Sequence, residues 1–511
     1  MAFGAQMIPK KPKKDIDKMK KPELLIPAGS LPVLKTAVVY GADAVYIGGE
    51  AFSLRAAAKN FTNDEIRQGL AFAHERGVKV YVAANIFAHN RDLKEIEAYF
   101  EELARIRPDG VLVSDPGVFN IARRVMGEIE LHISTQANNT NYETFNFWYS
   151  LGVRRVVCAR ELSLAEIAQI RANIPEDMEI EAFVHGAMCI SYSGRCLLSA
   201  YMTGRSANEG ACTHPCRWKY ALQEESRPGE YMPVFENERG TYIFNSKDLC
   251  MIDHLPEMVR AGIDSLKVEG RMKSALYVAS VARTYRMAID DYFEELNAQS
   301  RPDGAGAVSD KAAKTCSGAN APAGTASGAG ISGKKAAAGK YGLSAAVPCP
   351  DEKRLPAQEK TVPENNAPQA QAGPQRVRGK YSLSRDFYRS EISKCTYREY
   401  TTGFFFGRCD ETAQIYDEST YVKEWVYLGM AGTDERRREG RTYYGLEQKN
   451  KFSVGETVEI MKPSGENIQA AVLDMEDENG NKISSCPHPK QHFYADFGCP
   501  LEPYDIIRKK S

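Results

Sequence analysis

The segment Pro22-Glu-Leu-Leu-Ile-Pro-Ala-Gly-Ser30 decides the fold. Its apolar run, Leu24–Pro27, enters Ala28-Gly29-Ser30, where an open doubly wound sheet would carry a glycine-rich phosphate turn. That fingerprint is missing. The same pattern of apolar run, polar or glycine junction and amphipathic stretch then recurs through the first 275 residues. The further runs are Ala44–Ile47, Val78–Ala83, Gly110–Val113, Leu131–Ser134, Arg155–Ala159, Ile180–Val184 and Ser265–Val268. Most are continuously apolar, as parallel strands covered on both faces must be. Asn63–Arg76, Leu93–Ile106 and Leu162–Ile174 read as helices between them. Eight such βα units over about 250 residues predict an α/β fold, a closed (β/α)8 TIM-like barrel.

Barrel chemistry gathers where strands end and loops begin. The ends here are Gly48-Gly49-Glu50, Ala84-Asn85, Ser114-Asp115, Thr135-Gln136-Ala137-Asn138, Ala159-Arg160-Glu161, His185-Gly186 and Glu269-Gly270-Arg271. These are polar residues for places beside a core, although Ser114 or Asp115 also suits a helix start. His185, Arg160, Lys267, Glu269 and Arg271 are the candidate catalytic residues. Lys267, Glu269, Arg271 and Lys273 suit either an anionic ligand or an internal ion-pair network.

The seventh loop is the longest, from about Gly186 to Cys250, and carries Cys189, Cys196, Cys212 and Cys216 in the spacing C-x6-C-x15-C-x3-C. Four thiols within 28 residues are too dense to be ordinary small buried hydrophobes. They suit an iron–sulfur cluster, such as a 4Fe-4S cluster, or a tetrahedral zinc. Structural zinc favours two tight knuckles, and only the second pair here is tight, so the spacing leans towards iron–sulfur. Cys250 is an alternative fourth ligand, but Lys247–Met251 reads as a helix start that would bury it, and Cys158 reads as core. Arg195, Arg205, Arg217 and Lys219 interleave with Tyr192, Tyr201, Trp218 and Tyr220. Basic and aromatic groups together suit single-stranded RNA, phosphates held by charge and bases stacked. An ordinary solvated loop would look similar.

Outside the barrel, 511 residues exceed one ordinary core, and four regions follow. Residues 1–21 form a lysine-rich arm without the apolar run of a signal peptide. Residues 22–296 are the barrel. Residues 297–379 are dominated by Ala, Gly, Ser, Pro and Lys and are expected to be a disordered linker, with Cys316 and Cys349 incidental. Residues 380–511 are expected to be a small C-terminal β-barrel-like domain. Its strand candidates are Thr401–Phe406, Trp425–Met430, Val458–Met461, Gln469–Met475 and Tyr504–Ile507, with turns at Pro463-Ser464-Gly465 and Glu478-Asn479-Gly480. A net charge of −1 gives no whole-protein field for nucleic acid, so an RNA site must be local. No apolar stretch is long enough for a membrane span, and clustered cysteines fit a cytoplasmic protein.

Glu181-Ala-Phe-Val-His-Gly-Ala-Met-Cys-Ile-Ser-Tyr-Ser-Gly-Arg-Cys-Leu-Leu-Ser199 resembles the signature of the peptidase U32, or collagenase-like protease, family. Pro22–Gly29, Gly41–Gly48, Asp264–Arg271, Asn450–Gly455 and Glu502–Asp505 agree with it, so the likeness covers both folded regions and skips the linker. Glu209 stands where the family pattern has arginine, which removes one basic contact. The resemblance implies a branch that hydroxylates position 5 of the transfer-RNA wobble uridine. It implies a cluster on Cys189, Cys196, Cys212 and Cys216, prephenate as co-substrate, and a second U32 chain as partner subunit.

Three functions follow. In the first, an RNA hydroxylase, Arg160, Lys267 and Arg271 clamp the carboxylates of the co-substrate. In the second, a peptidase, one cysteine is activated by His185 or His214, although neither H-E-x-x-H nor G-x-S-x-G occurs. In the third, a non-catalytic RNA-binding adaptor, the metal is a staple. The hydroxylase uses the most residues: a nucleophile needs one cysteine, and an adaptor leaves the barrel mouth idle.

Overall fold

A computed structural model describes residues 19–50, 52–53, 60–189, 191–193, 195–220, 222–223, 231–232, 241–242, 246–300, 380–407, 415 and 421–511. The basic arm up to residue 18, the linker from 301 to 379, and Cys316 and Cys349 lie outside them.

Eight parallel strands close a barrel. They are β1 (Glu23–Pro27), β2 (Ala44–Gly48), β3 (Lys79–Ala83), β4 (Gly110–Val113), β5 (Glu130–Ile133), β6 (Arg155–Val157), β7 (Glu179–Ala187) and, after the short β8 (Asp248–Cys250), β9 (Ser265–Val268). Each pairs with the next, and β9 pairs with both β1 and β7, which shuts the ring. All eight apolar runs are strands, because each is buried from barrel interior and helix layer at once.

Helices α1 (Leu31–Val39), α2 (Asn63–His74), α3 (Leu93–Ile106), α4 (Pro116–Val125), α5 (Tyr142–Ser150) and α6 (Leu164–Ala172) follow β1 to β6. Their starts are written locally. Thr62 with Glu65, and Ser163 with Glu166, form capping boxes, while Asp115 accepts from Val118 N at 3.0 Å. Asp115 is therefore a cap, as its alternative reading allowed. The seventh loop holds α7 (Leu198–Thr203) and two short antiparallel ladders. Helices α8 (Leu255–Arg260) and α9 (Ala275–Ser300) flank β9.

Four expectations are corrected beyond the barrel proper. Cys250 lies in β8, a strand antiparallel to β7 with Cys250 opposite His185, and not at a helix start. The nine-residue β7 outruns its barrel partners, and its spare edge takes up Asp248–Cys250. Residues from 380 onward are not all β: α10 (Lys380–Leu383) and α11 (Arg385–Ile392) pack on α9, with Tyr381, Tyr388 and Ile392 buried. Their spacing of seven and four is helical. Only Tyr400–Thr401 of the Thr401–Phe406 region is strand: β10, parallel to β8 and so part of the barrel sheet.

The C-terminal sheet is a curled antiparallel domain. It comprises β11 (Trp425–Arg438), β12 (Arg441–Glu447), β13 (Thr457–Met461), β14 (Ile468–Ala471), β15 (Asp474–Glu476), β16 (His492–Asp496) and β17 (Ile506–Lys510). The order is β14-β13-β17-β11-β12-β16-β15. The expected Gln469–Met475 strand is two strands, β14 and β15, on opposite edges. Leu428, Phe452, Val458, Met475 and Phe493 form its own core, whereas Met461 and Ile506 join the barrel core. The docking seam is charged: Arg508 Nη2 donates to Glu459 (2.6 Å) and Glu391 (2.9 Å), and Arg283 of α9 reaches Glu391 (3.3 Å).

Candidate active site

The carboxyl ends of the barrel strands enclose a polar cavity of about 40 Å³, lined among others by Tyr46, Gln136, Arg160, Lys267, Glu269 and Arg271. It has room for a few water-sized occupants or one small polar group. Two glycines shape it. A Cβ on Gly48 would stand 2.2 Å from Arg271 Nη1, and Gly186, at φ +106°, lies where a Cβ would meet Glu269 O at 2.4 Å. The Gly48 and His185-Gly186 junctions thus admit the Glu269-Gly270-Arg271 turn.

Arg160, Lys267, Glu269 and Arg271 are brought together there. Arg160 Nη1 donates to Ala187 O at 2.7 Å, its guanidinium lies 3.8 Å from the Phe183 ring, and its buried Nε has no hydrogen-bond partner among the described residues. Arg271 donates to Ser53 Oγ at 2.5 Å. Tyr46 donates to Val268 O at 2.8 Å, with Glu269 Oε2 at 3.3 Å. Gln136 Oε1 accepts from Asn85 Nδ2 (3.1 Å) and Ser134 Oγ (2.5 Å), which fixes that amide.

Lys267 realises the ion-pair alternative while still lining the cavity. Its Nζ donates to Glu181 Oε1 at 2.7 Å, and both groups are buried. Glu181 also faces Arg155, 3.6 Å away, which in turn binds Glu23 at 2.6 Å. Burial lowers the Lys267 pKa, with Glu181 opposing. Glu181, the first residue of the Glu181–Ser199 segment, has a structural role. It is the counter-ion that lets a lysine stand in the barrel interior.

His185 is not in the cavity. Its ring is buried among Tyr277, Tyr285 and Tyr400, and neither ring nitrogen has a hydrogen-bond partner among the described residues. Burial pushes its pKa down to about 3. An imidazole so placed activates no thiol, which corrects its assignment as a catalytic residue.

The cysteine loop is fastened over the mouth. Arg195 lies 4.5 Å from the Phe87 ring and donates to Gln136 O at 3.4 Å, and Phe87 N donates to Asn208 O at 3.3 Å. Glu209 forms an ion pair with Arg91. Arg195 therefore works as a strap as well as an exposed cation. Arg205 is exposed and Trp218 half-exposed, while the Arg217 and Lys219 side chains lie outside the described residues.

None of Cys189, Cys196, Cys212 and Cys216 is in a disulfide; Cys189 is exposed and the others half-buried. The long x15 interval is closed by a stitch: buried Ser199 Oγ meets Thr213 Oγ1 at 3.0 Å and accepts from Thr213 N at 3.0 Å. Cys196 Sγ accepts from Leu198 N, and Cys212 Sγ from His214 N, each at 3.4 Å. Backbone N–H groups directed at sulfur favour thiolate and tune a bound cluster. Among the described residues no three His, Cys, Asp or Glu side chains stand close enough to share one metal ion. A cluster instead takes each thiolate on a different iron, so the donor set fits a cluster by its chemistry. Cys250 is set apart, its thiol enclosed and pushed up to about 12 by burial.

A second, larger cleft of about 490 Å³ opens beside Cys189, lined by Glu161, Ser163, Glu166, Ser191, Tyr192, Phe404 and Gly407. Arg160 and Glu161, neighbours in sequence, thus line two different cavities. Phe404 was not foreseen; its segment is held by Leu164 N donating to Phe405 O at 2.9 Å.

The profile of peptidase family U32 matches residues 29–321, and that of the peptidase family U32 C-terminal domain matches residues 423–508. The tRNA hydroxylation protein P1 of Bacillus subtilis is 34% identical over 96% of this chain and 95% of its own length. The tRNA hydroxylation protein P of Escherichia coli is 43% identical over 53% of this chain and 69% of its own length. The 23S rRNA 5-hydroxycytidine C2501 synthase of Escherichia coli is 36% identical over 53% of this chain and 40% of its own length. No helix among the described residues is long and apolar enough to cross a membrane.

Proposed function

The chain belongs to peptidase family U32, and from that membership we propose that it is an RNA hydroxylase acting on transfer RNA, with the wobble uridine as the base modified. The observation that carries this reading is the end-to-end likeness to tRNA hydroxylation protein P1, which spans barrel and C-terminal domain alike. The relatives named for transfer RNA and for ribosomal RNA share modification of RNA and differ in target.

The mouth supports a small carboxylate co-substrate, of which prephenate is our candidate. Arg160, with an unused buried Nε, and Arg271 offer forked donors that match a carboxylate. Lys267, neutralised by Glu181, supplies hydrogen bonds without an uncompensated charge. Cys189, Cys196, Cys212 and Cys216 would hold the iron–sulfur cluster, whose chemistry when bound is electron transfer. The contacts of Arg195 with Phe87 and Gln136 fasten the cysteine loop to the strand ends. The peptidase reading draws no support from His185, whose ring is walled off by tyrosines.

The test is the nucleoside profile of transfer RNA from cells carrying the wild-type chain or Cys189→Ala as the sole copy. Loss of one hydroxylated uridine, with the protein still folded and present, is expected. An unchanged profile overturns the reading.

A further inference from the structure

The mouth cavity is too small for a nucleobase together with a co-substrate, yet the cleft on the other side of the β6 end has the room. We propose that the cleft bounded by Tyr192, Phe404 and Glu161 receives the substrate pyrimidine, unstacked from its RNA, and presents it to the Cys189 end of the cysteine loop. This rests on the RNA reading above and adds where the base sits.

The lining selects the occupant. Two aromatic side chains, Tyr192 and Phe404, come from segments far apart in sequence and offer the faces on which a base stacks. Tyr192 is 47% exposed, so part of its ring is open to a stacking partner. The carboxylates of Glu161 and Glu166 repel phosphate and suit the N–H edge of a neutral ring. Glu166 is already engaged, accepting from Ser163 N at 2.8 Å and Ser163 Oγ at 2.7 Å. Glu161 is the group left to read the base. Burial raises its pKa, so the carboxyl lies nearer to serving as donor as well as acceptor. The Phe404 wall is kept in place by the Leu164–Phe405 backbone bond at the α6 start, a rigid anchor for a stacking ring. Extrusion of a base into a lined pocket is the general solution for enzymes acting on a ring atom that stacking hides.

The division of labour is then spatial. Arg160 faces the socket for an anionic head group and Glu161 faces the cleft for a neutral base, with Cys189 beside the second.

Photocrosslinking tests this with full-length protein purified without oxygen. The probe is an RNA stem-loop with a single 5-iodouridine in the loop. Crosslinked peptides containing Tyr192 or Phe404 are expected, with loss of either crosslink in Tyr192→Ala or Phe404→Ala. Phe404→Leu, which keeps the wall filled, should retain the fold and weaken stem-loop binding roughly tenfold. Glu161→Gln should shift the preference between uridine and cytidine stem-loops. Crosslinks confined to Tyr201 or Trp218, from a protein that still hydroxylates RNA, overturn the cleft assignment and leave the proposed function standing. A wild-type protein that neither binds nor hydroxylates RNA overturns both.

Discussion

Lys267 Nζ and Glu181 Oε1 stand 2.7 Å apart inside the barrel, both side chains at most 3% exposed. Removing one partner leaves a charge in low dielectric, whereas removing both leaves an apolar gap. Glu181→Gln is expected to lower stability by about 3–5 kcal/mol, and the double change Glu181→Leu with Lys267→Met to recover most of it. Urea unfolding of Glu181→Gln, Lys267→Met and the double variant checks this; equal losses in all three would refute the coupling.

Arg160 is the mouth cation with an unused buried donor. Lysine keeps the charge and loses the fork, so Arg160→Lys should raise the co-substrate concentration for half-maximal hydroxylation roughly tenfold while maximal rate changes less. Steady-state kinetics with prephenate varied would show it. A fall in maximal rate alone would place Arg160 outside carboxylate binding.

Cys196 and Cys212 each accept a backbone N–H. Anaerobic preparations should contain iron and acid-labile sulfide, reduced in Cys189→Ser, Cys196→Ser, Cys212→Ser and Cys216→Ser and unchanged in Cys250→Ser. Elemental analysis with the visible spectrum decides it, and one zinc without sulfide would replace the cluster with a staple.

His185 has a pKa of about 3 in the fold against 6.5 for the free side chain, because burial disfavours the imidazolium. The unfolded chain therefore binds a proton the folded one refuses, and stability drops as pH falls from 6.5 towards 3. His185→Phe fits the same ring of tyrosines and removes that loss. Its benefit should be larger by roughly 2 kcal/mol at pH 5 than at pH 8. Denaturant midpoints at both pH values measure it; a benefit independent of pH would mean the imidazole titrates normally.

Glu391 titrates in the same acidic range, at the seam between α9, α11 and the C-terminal sheet. Burial works to raise its pKa, but Arg508, Lys394 and Asn467 bring it down to about 2 from 4.5. Its contribution is complete above pH 4.5 and is lost as pH falls towards 2. Trp425 lies 4.8 Å from Lys394 and 5.3 Å from Arg508, so its fluorescence should report the loosening in that window. In Glu391→Gln the transition should disappear.

The barrel was legible because its signal is local: each strand is an apolar run, and four of the first six helices, α2, α4, α5 and α6, start on a side-chain cap. The cysteine cluster was legible as a density of thiols. What escaped depends on distant partners. Glu181 sits in an apolar run and acquires meaning only from Lys267 on the adjoining strand. Cys250 pairs with β7 because that strand is long, which no window around Cys250 reveals. His185 looked like a reagent by residue type, and only the three tyrosines, two on α9 and one on β10, show it to be packing. Tyr381 and Tyr388 carry a helical spacing too short to stand out beside the long insert.

Phe404 and Gly407 lie beyond residues 302–377, yet they complete the wall beside Cys189. During synthesis the ribosome therefore releases the thiols long before the side chain that will face them. Until the last quarter of the chain emerges, the nascent barrel has its cysteines but no finished cleft. A truncated product that stops before Phe404 therefore carries the four thiols without the aromatic side chain that closes the cleft beside Cys189.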